Sequence, residues 1–279
     1  SKFKVDQYAF NGKGDENANE PYKGKVTISG AWALYPMVVK WAADYQKLHP
    51  DVKIDISAGG AGKGMADALS GAVDLGMVSR AVNDAEIKKG AWWVSVVKDA
   101  VVPTFNSANP AKDTILKRGL KKEEFADIWI TGRAENWNAL LGLKGKSPIR
   151  AYTRSDACGA AETWAKYLGR AQEDLKGVGV YGDPGLAEAV RKDASGCGFN
   201  NINFLYDSAT RKPVEGVLAL PIDVNGNGQV DPDEAVYATL GDIVKAIADG
   251  KYPSPPARDL HLVAGGAPKR KVVAEFLRW

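Results

Sequence analysis

The hydrophobic pattern of the chain alternates between two periods. Lys25-Val-Thr-Ile-Ser29 places apolar residues at every second position, as a strand with one buried face requires. Over 34–48, Met37, Val38, Trp41, Ala42, Tyr45 and Leu48 recur at helical spacing, with Pro36 tolerated in the first turn. The plan then repeats. Val52-Lys-Ile-Asp-Ile56 predicts a second strand, the glycine-rich stretch 58–64 a turn, 65–69 the start of a helix, and 73–78 a third strand ending at Ser79-Arg80. Such strand–helix–strand units predict an α/β fold with a mixed, mostly parallel sheet, helices on both faces, and ligands beyond the carboxyl ends of the strands.

Further along, 100–105 reads as an apolar strand, and Asn106-Ser-Ala-Asn-Pro110 as the exit into a second lobe. There 120–129 predicts a helix, 149–153 a strand and 160–168 a helix. Toward the end 240–248 predicts a helix, 260–263 a strand and 272–279 a last helix. No fixed-period repeat is present, which argues against a solenoid.

Composition narrows the class. Of 279 residues, 45% are hydrophobic and 25% charged, the balance of a folded globular protein. The 37 Lys+Arg against 34 Asp+Glu give +3, with both signs scattered along the chain, which argues against a nucleic-acid partner. No stretch approaches a membrane span. The opening 1–23 is a polar extension lacking the apolar core of a secretory signal, so the chain is either cytosolic or already processed.

Cys158 and Cys197 are the whole thiol inventory, and their spacing suits neither zinc nor a redox pair. They are either two unrelated buried thiols or a disulfide closing a loop of roughly forty residues, worth about 3–4 kcal/mol and pointing outside the cytoplasm. His49 and His261 have no acid or nucleophile nearby in sequence and read as structural. No nucleophile–base pair or catalytic carboxylate pair is visible, so the expectation is a protein without enzymatic activity.

Three glycine-bearing turns each follow a strand and open a helix: Ser29-Gly-Ala-Trp32, Gly59-Gly-Ala-Gly-Lys-Gly64 and Ser155-Asp-Ala-Cys-Gly159. The glycines serve tight turns alone, or the helix N-termini converge on one cleft as an anion site, with Arg154 as a bidentate fork. A nucleotide phosphate loop does not fit. Its first glycine would fall on Ser57, and Lys63 is followed by Gly64 where a magnesium-binding Ser or Thr is needed.

The strongest local motif is Asp223-Val-Asn-Gly-Asn-Gly-Gln-Val-Asp-Pro-Asp-Glu234, which matches the EF-hand calcium loop. Asp223, Asn225 and Asn227 stand at positions 1, 3 and 5, Gly228 at the turn, Gln229 at 7 through its carbonyl, Asp231 at 9 and Glu234 at 12. Pro221-Ile222 leaves no entering helix, and a helix over 235–248 is expected to follow. A single loop of this kind suits a structural calcium clamp rather than a sensor.

The ordered segments ISGAWALYP…KWAADYQK, GGAGKG, VDLGMVSR, ITGRAENW, RSDACGAAETW and GKYP…R resemble the periplasmic phosphate-binding proteins of Pst-type ABC transporters, from about Val26 to Trp279, here with the EF-hand-like loop inserted. The resemblance implies a two-lobed type II periplasmic-binding-protein fold with two crossover strands. Lobe 1 would comprise 24–107 and 258–279, and lobe 2 would comprise 108–257. Because chains of that family continue further, part of the last helix is expected to lie beyond this sequence. The resemblance also implies a monomeric, exported protein, periplasmic or at the cell surface, with its signal removed. Such a protein captures phosphate or a related oxyanion for a membrane permease and touches the membrane only through an anchor or that permease.

The ligand contacts that the resemblance implies fall on Ala31, Trp32, Ala33, Ala61, Gly62, Ser79, Arg154, Asp156, Cys158, Gly159 and Ala160. Where the family has Ser or Thr hydroxyls, this chain has Ala31, Trp32 and Ala33, then Ala61, Cys158 and Ala160; Ser79, Arg154, Asp156 and Gly159 keep the pattern. At about 1.5–3 kcal/mol for each hydrogen bond to a charged ligand, losing three removes roughly 4–9 kcal/mol, three or more decades of affinity. Trp32 either stacks on a larger, partly organic ligand or fills the space of the anion, or packs into the lobe core. In this family setting Cys158 pairs naturally with Cys197. The rival expectation is a calcium-stabilised extracellular interaction or structural protein that keeps the fold and has lost tight phosphate capture.

Overall fold

The computed structural model describes residues 23–279, so the polar extension lies outside the described residues except for Lys23. The chain runs through β1 (Gly24–Gly30), α1 (Tyr35–Leu48), β2 (Val52–Ala58), α2 (Ala61–Ser70), β3 (Leu75–Val78) and α3 (Asp84–Lys88) before β4 (Ala91–Asn106) leaves this first lobe. A second lobe holds α4 (Lys112–Arg118), α5 (Lys122–Ala126), a π-helical turn (Asp127–Thr131), α6 (Trp137–Leu140), β5 (Arg150–Arg154), α7 (Gly159–Tyr167), β6 (Val178–Val180), α8 (Gly182–Lys192), β7 (Gly196–Asn201), α9 (Ile202–Leu205), β8 (Val217–Ala219) and α10 (Leu240–Ala248). β9 (Ala257–Gly265) returns to the first lobe, and α11 (Lys271–Arg278) packs there.

The strands follow the order β2-β1-β3-β9-β4-β7-β5-β6, with β8 paired to β4. Pairs within each lobe, β1 with β2 and β3 and β5 with β6 and β7, are parallel. The pairs made by the two crossing strands are antiparallel. Side-chain alternation follows position in the sheet. Edge strand β2 buries Val52 and Ile54 and exposes Lys53 and Asp55, whereas all four residues of the inner β3 are buried.

Two hydrophobic cores form. One joins Val26, Ile28, Val38, Met77 and Leu262 to Val272 and Phe276 of α11; the other surrounds Trp129, Trp137, Trp164 and Phe199. In the second, Trp164 stacks on Phe199 with ring centroids 5.9 Å apart and meets Trp129 edge to face at 5.5 Å.

Several boundaries differ from the sequence pattern for identifiable reasons. α2 starts at Ala61, inside the glycine run, because the helix is pressed onto strand backbone. A Cβ on Gly64 would lie 2.4 Å from the Met77 carbonyl oxygen, so only glycine permits that approach. β4 begins at Ala91, and its first half is half-buried on both faces, which erases the period-2 signal. The helix expected over 235–248 starts only at Leu240, where the Thr239 hydroxyl caps it by accepting from Asp242 N.

Candidate functional site

Arg154 ends β5, and its guanidinium is wholly buried. Nε and Nη2 donate to the two oxygens of Asp156 at 2.8 and 2.6 Å, and Nη1 donates to Asp183 Oδ2 at 2.6 Å. Asp183, in the first turn of α8, also accepts from Asn201 N and Nδ2 and from Asn200 Nδ2. Asp156 Oδ1 accepts from Gly182 N at 3.1 Å. Burial works against the guanidinium charge, but Asp183 and Asp156 outweigh it and the Arg154 pKa ends above the ordinary arginine value. A second buried cation stands beside this centre. Arg258 of β9 donates through Nε to the Ser79 carbonyl and through Nη2 to Asn201 Oδ1, and its Nη1 lies 3.4 Å from Asp99 Oδ2. Asp99 and Arg258 are register partners on the two crossing strands. Burial raises the Asp99 pKa to about 6, with Arg258 opposing.

The lobes touch through backbone. Gly62 N, in the first turn of α2, donates to the Ala157 carbonyl at 3.4 Å. Added Cβ atoms show how close the approach is: one on Gly60 would sit 2.6 Å from the Ala157 oxygen, and one on Gly159 would sit 2.2 Å from Ser79 Oγ. The α2 and α7 N-termini therefore face one another across the seam, with Ser79 and Arg154 buried beside them. Ala31, Ala33 and Ala61 are buried in the first-lobe core and Ala160 in the second.

Trp32 lies in the turn between β1 and α1 and is half-buried. A Cβ on Gly182 would lie 3.2 Å from its Cζ2, so the indole of the first lobe rests on the α8 N-terminus of the second. It meets Tyr35 and Tyr181 edge-on at 6.2 and 6.3 Å. Its buried Nε1 has no hydrogen-bond partner among the described residues. Asn203 Nδ2 donates to the Ala33 carbonyl, while Asn203 Oδ1 is likewise buried without a partner.

The expected Cys158–Cys197 bridge is absent: both thiols are free and buried. Each sulfur serves its own neighbourhood. Cys158 caps α7 by accepting from Ala161 N at 3.4 Å, whereas Cys197 Sγ lies 3.7 Å from the Arg150 carbonyl. Burial, partly offset by Arg154, pushes the Cys158 pKa up to about 12, and burial raises that of Cys197 as well, so both are neutral thiols at neutral pH.

In the loop from Asp223 to Glu234 the carboxylates of Asp223 and Glu234 bind loop amides, and the side chains of Asn225, Asn227 and Gln229 gather on Asp231. Asp223, 3% exposed, accepts from the amides of Gly226, Asn227 and Gly228, and Glu234, 8% exposed, from those of Val224, Asn225 and Asp231. The side-chain amides of Asn225, Asn227 and Gln229 converge on the Asp231 carboxylate at 2.7–3.0 Å. No group of three or more His, Cys, Asp or Glu among the described residues is placed to hold a metal. The loop is anchored to the second lobe, Val230 N donating to the Lys117 carbonyl and Asp223 N to that of Leu120. The histidines stand apart from the seam chemistry: His261 Nδ1 lies 3.0 Å from Ser95 Oγ, and His49 packs on Tyr45.

Asp183, Asn200, Asn201, Asn203, Asp99 and Arg258 are absent from the sequence-derived set. Asp99 and Arg258 carry a local signal, each a charge beside an apolar strand run (VVKDAVV and RDLHLV). Asp183 lies in GDPG, which reads as an ordinary turn.

A PBP superfamily domain model matches residues 15–279. "Phosphate-binding protein PstS" of Bacillus subtilis is 28% identical over 241 residues, 86% of this chain and 69% of that relative. The protein of the same name in Methanocaldococcus jannaschii is 22% identical over 326 residues, 96% and 82% of the two chains. Among solved structures, a putative phosphate ABC transporter substrate-binding protein with bound phosphate from Clostridium perfringens superposes with a TM-score of 0.70 at 22% identity, covering 91% of this chain and 93% of that one. An ABC-type phosphate transport receptor from Vibrio cholerae gives 0.63 at 18%, covering 91% and 92%. At these identities the superpositions speak to fold, and the two-lobed α/β architecture with crossing strands is the one they share. With a family match spanning nearly the whole length, this chain belongs to the PBP superfamily.

Proposed function

We propose that this chain is the exported solute-binding component of a phosphate-type ABC transporter. It captures phosphate or a related oxyanion between its lobes and presents it to a membrane permease, with no chemistry following capture. The observation that carries the reading is the wholly buried Arg154 guanidinium beside the facing N-termini of α2 and α7, which puts a fixed positive charge and backbone N–H donors at one seam. The phosphate-binding relatives and phosphate-bound neighbour support it. Isothermal titration with phosphate, sulfate and molybdate tests it: heat from at least one anion, lost in Arg154→Ala, is expected, and silence from all three overturns it.

A second reading, a calcium-stabilised extracellular protein that keeps the fold without tight phosphate capture, is favoured by one specific contact. The Gly62 amide, available to an anion in the ligand role, is taken by the Ala157 carbonyl, and Ala31, Ala33, Ala61 and Ala160 stand where the resemblance implies hydroxyl donors. In either reading the 223–234 loop would take calcium through Asp223, Asn225, Asn227, the Gln229 carbonyl, Asp231 and Glu234. The support is the ligand spacing together with two buried carboxylates, Asp223 and Glu234, that accept only from backbone amides among the described residues.

A further inference from the structure

The two lobes are also joined by charge. Arg80 follows Ser79 past the end of β3, in the first lobe, and its side chain is 12% exposed. Glu86 of α3 holds it from the same lobe: Nη1 and Nη2 donate to the two Glu86 oxygens at 2.9 and 2.6 Å, and Nη1 also donates to the Ala81 carbonyl at 3.0 Å. Glu86 is fixed in turn, because Asn83 N donates to it in the capping box that opens α3. That grip leaves Nε for the other lobe, where it stands 2.9 Å from Oε2 of Glu162, in the first turn of α7. A guanidinium already held in place gives up little freedom on meeting a second carboxylate.

Both partners adjoin the closest approach of the lobes. Arg80 is the neighbour of Ser79, and Glu162 shares the first turn of α7 with Gly159, on which an added Cβ would lie 2.2 Å from Ser79 Oγ. The pair therefore forms only when α7 lies against the end of β3. The Glu162 side chain is 52% exposed, and a cleft of about 250 Å³ lined by both partners opens beside the pair, so dissolved ions reach it. The backbone bond from Gly62 to Ala157 and the seating of Trp32 on Gly182 carry no net charge and are not screened in this way. We propose that Arg80 and Glu162 form an electrostatic clasp between the lobes, and that ionic strength acting on it sets how often they part. Under the receptor reading above, on which this consequence alone rests, a weaker clasp lowers the apparent affinity for an anion, because the closed arrangement is what gathers Ser79, Arg154 and the α7 N-terminus.

Cys158 reports parting of the lobes without any ligand. It is 5% exposed, and a Cβ added to Gly60 of the opposite lobe would lie 3.5 Å from its Cβ, whereas Cys197 is wholly buried in the core of the second lobe. The test is N-ethylmaleimide labelling of the intact native chain, read at each cysteine by mass spectrometry. Cys158 is expected to react about two- to fivefold faster in Glu162→Gln than in wild type, with Cys197 unchanged, the effect of losing one partly exposed ion pair. Raising salt from about 20 mM to about 500 mM should reproduce that acceleration in wild type and leave the variant unmoved. Wild-type Cys158 labelling indifferent to salt, a variant that labels like wild type, or equal acceleration at both cysteines overturns the clasp, whatever anions do. Phosphate titrated into the same two proteins tests the link to the receptor reading: affinity weakened by the same factor in Glu162→Gln supports it, and equal affinities overturn it. Silence from phosphate counts against the receptor reading, while the thiol result still decides the clasp.

Discussion

Replacing Asp183 with alanine removes four hydrogen-bond contacts at once, from Arg154 Nη1, Asn201 N, Asn201 Nδ2 and Asn200 Nδ2. The guanidinium keeps Asp156 but loses one of its two anionic partners in a site without solvent, and removing one side of a buried pair costs about 3–5 kcal/mol. The stranded amide donors add about 1–3 kcal/mol each before relaxation, and these terms overlap, so about 4–6 kcal/mol is the expected loss. In a chain of this size that is on the order of a 10 °C fall in melting temperature. Asp183→Asn keeps the shape and one acceptor oxygen and should fall between wild type and the alanine variant. Urea titration followed by tryptophan fluorescence, with m-values compared to detect changes in the unfolded state, reads the difference. An alanine variant within about 1 kcal/mol of wild type would show that Asp183 is not what holds Arg154 in place.

Calcium, if it fills the 223–234 loop, stabilises by mass action: chelator should lower the melting temperature and millimolar calcium restore it, while Glu234→Ala should make the protein indifferent to both; a wild-type melt unmoved by chelator sinks the loop's role. Denatured protein without reductant should titrate two thiols and native protein essentially none, since both cysteines are free, buried and held neutral; finding no thiol after unfolding would establish a bridge. Asp99 has its folded pKa raised from 3.8 to about 6, so between these values the folded state binds more protons than the unfolded one and stability falls as pH rises through the window. The loss is at most about 3 kcal/mol; Asp99→Asn should flatten the urea-midpoint profile between pH 4 and 6, and parallel profiles would refute the assignment. Gly159→Ala should push α7 off Ser79, raising the radius of gyration in X-ray scattering, and an unchanged value would show that the seam yields without opening.

Much of the first lobe is legible because its signals are local. Val52, Ile54 and their charged neighbours report an edge strand directly, and the heptad-like recurrence of Val38, Ala42 and Tyr45 reports the buried stripe of α1. The EF-hand-like loop is equally local, with every proposed ligand within twelve residues. The second lobe hides more. β6 is three residues long and largely exposed, and α8 opens on Gly-Asp-Pro-Gly, a turn sequence, so neither carries a period. The charged centre is hidden for a different reason. Asp183 matters because Arg154, Asn200 and Asn201 reach it from other elements, and that pairing exists only once β5, β7 and α8 are packed together.

The seam separates what packing fixes from what a ligand reads. Gly60 and Gly159 are held to glycine by backbone of the opposite lobe, whatever lies between the lobes. Helix N-termini and Arg154 are likewise set by strands and by Asp156 and Asp183, so no ligand is needed to keep them in position. Ala31, Ala33 and Ala61 are buried in the first-lobe core and Ala160 in the second, while Trp32 rests on the α8 N-terminus of the opposite lobe. In the proposed receptor reading, these are the positions at which affinity would change while the two lobes and their crossing strands stay as they are. Resemblance in fold carries over the two-lobed architecture; in the proposed receptor reading, Arg154 and the facing helix N-termini mark where an anion would sit.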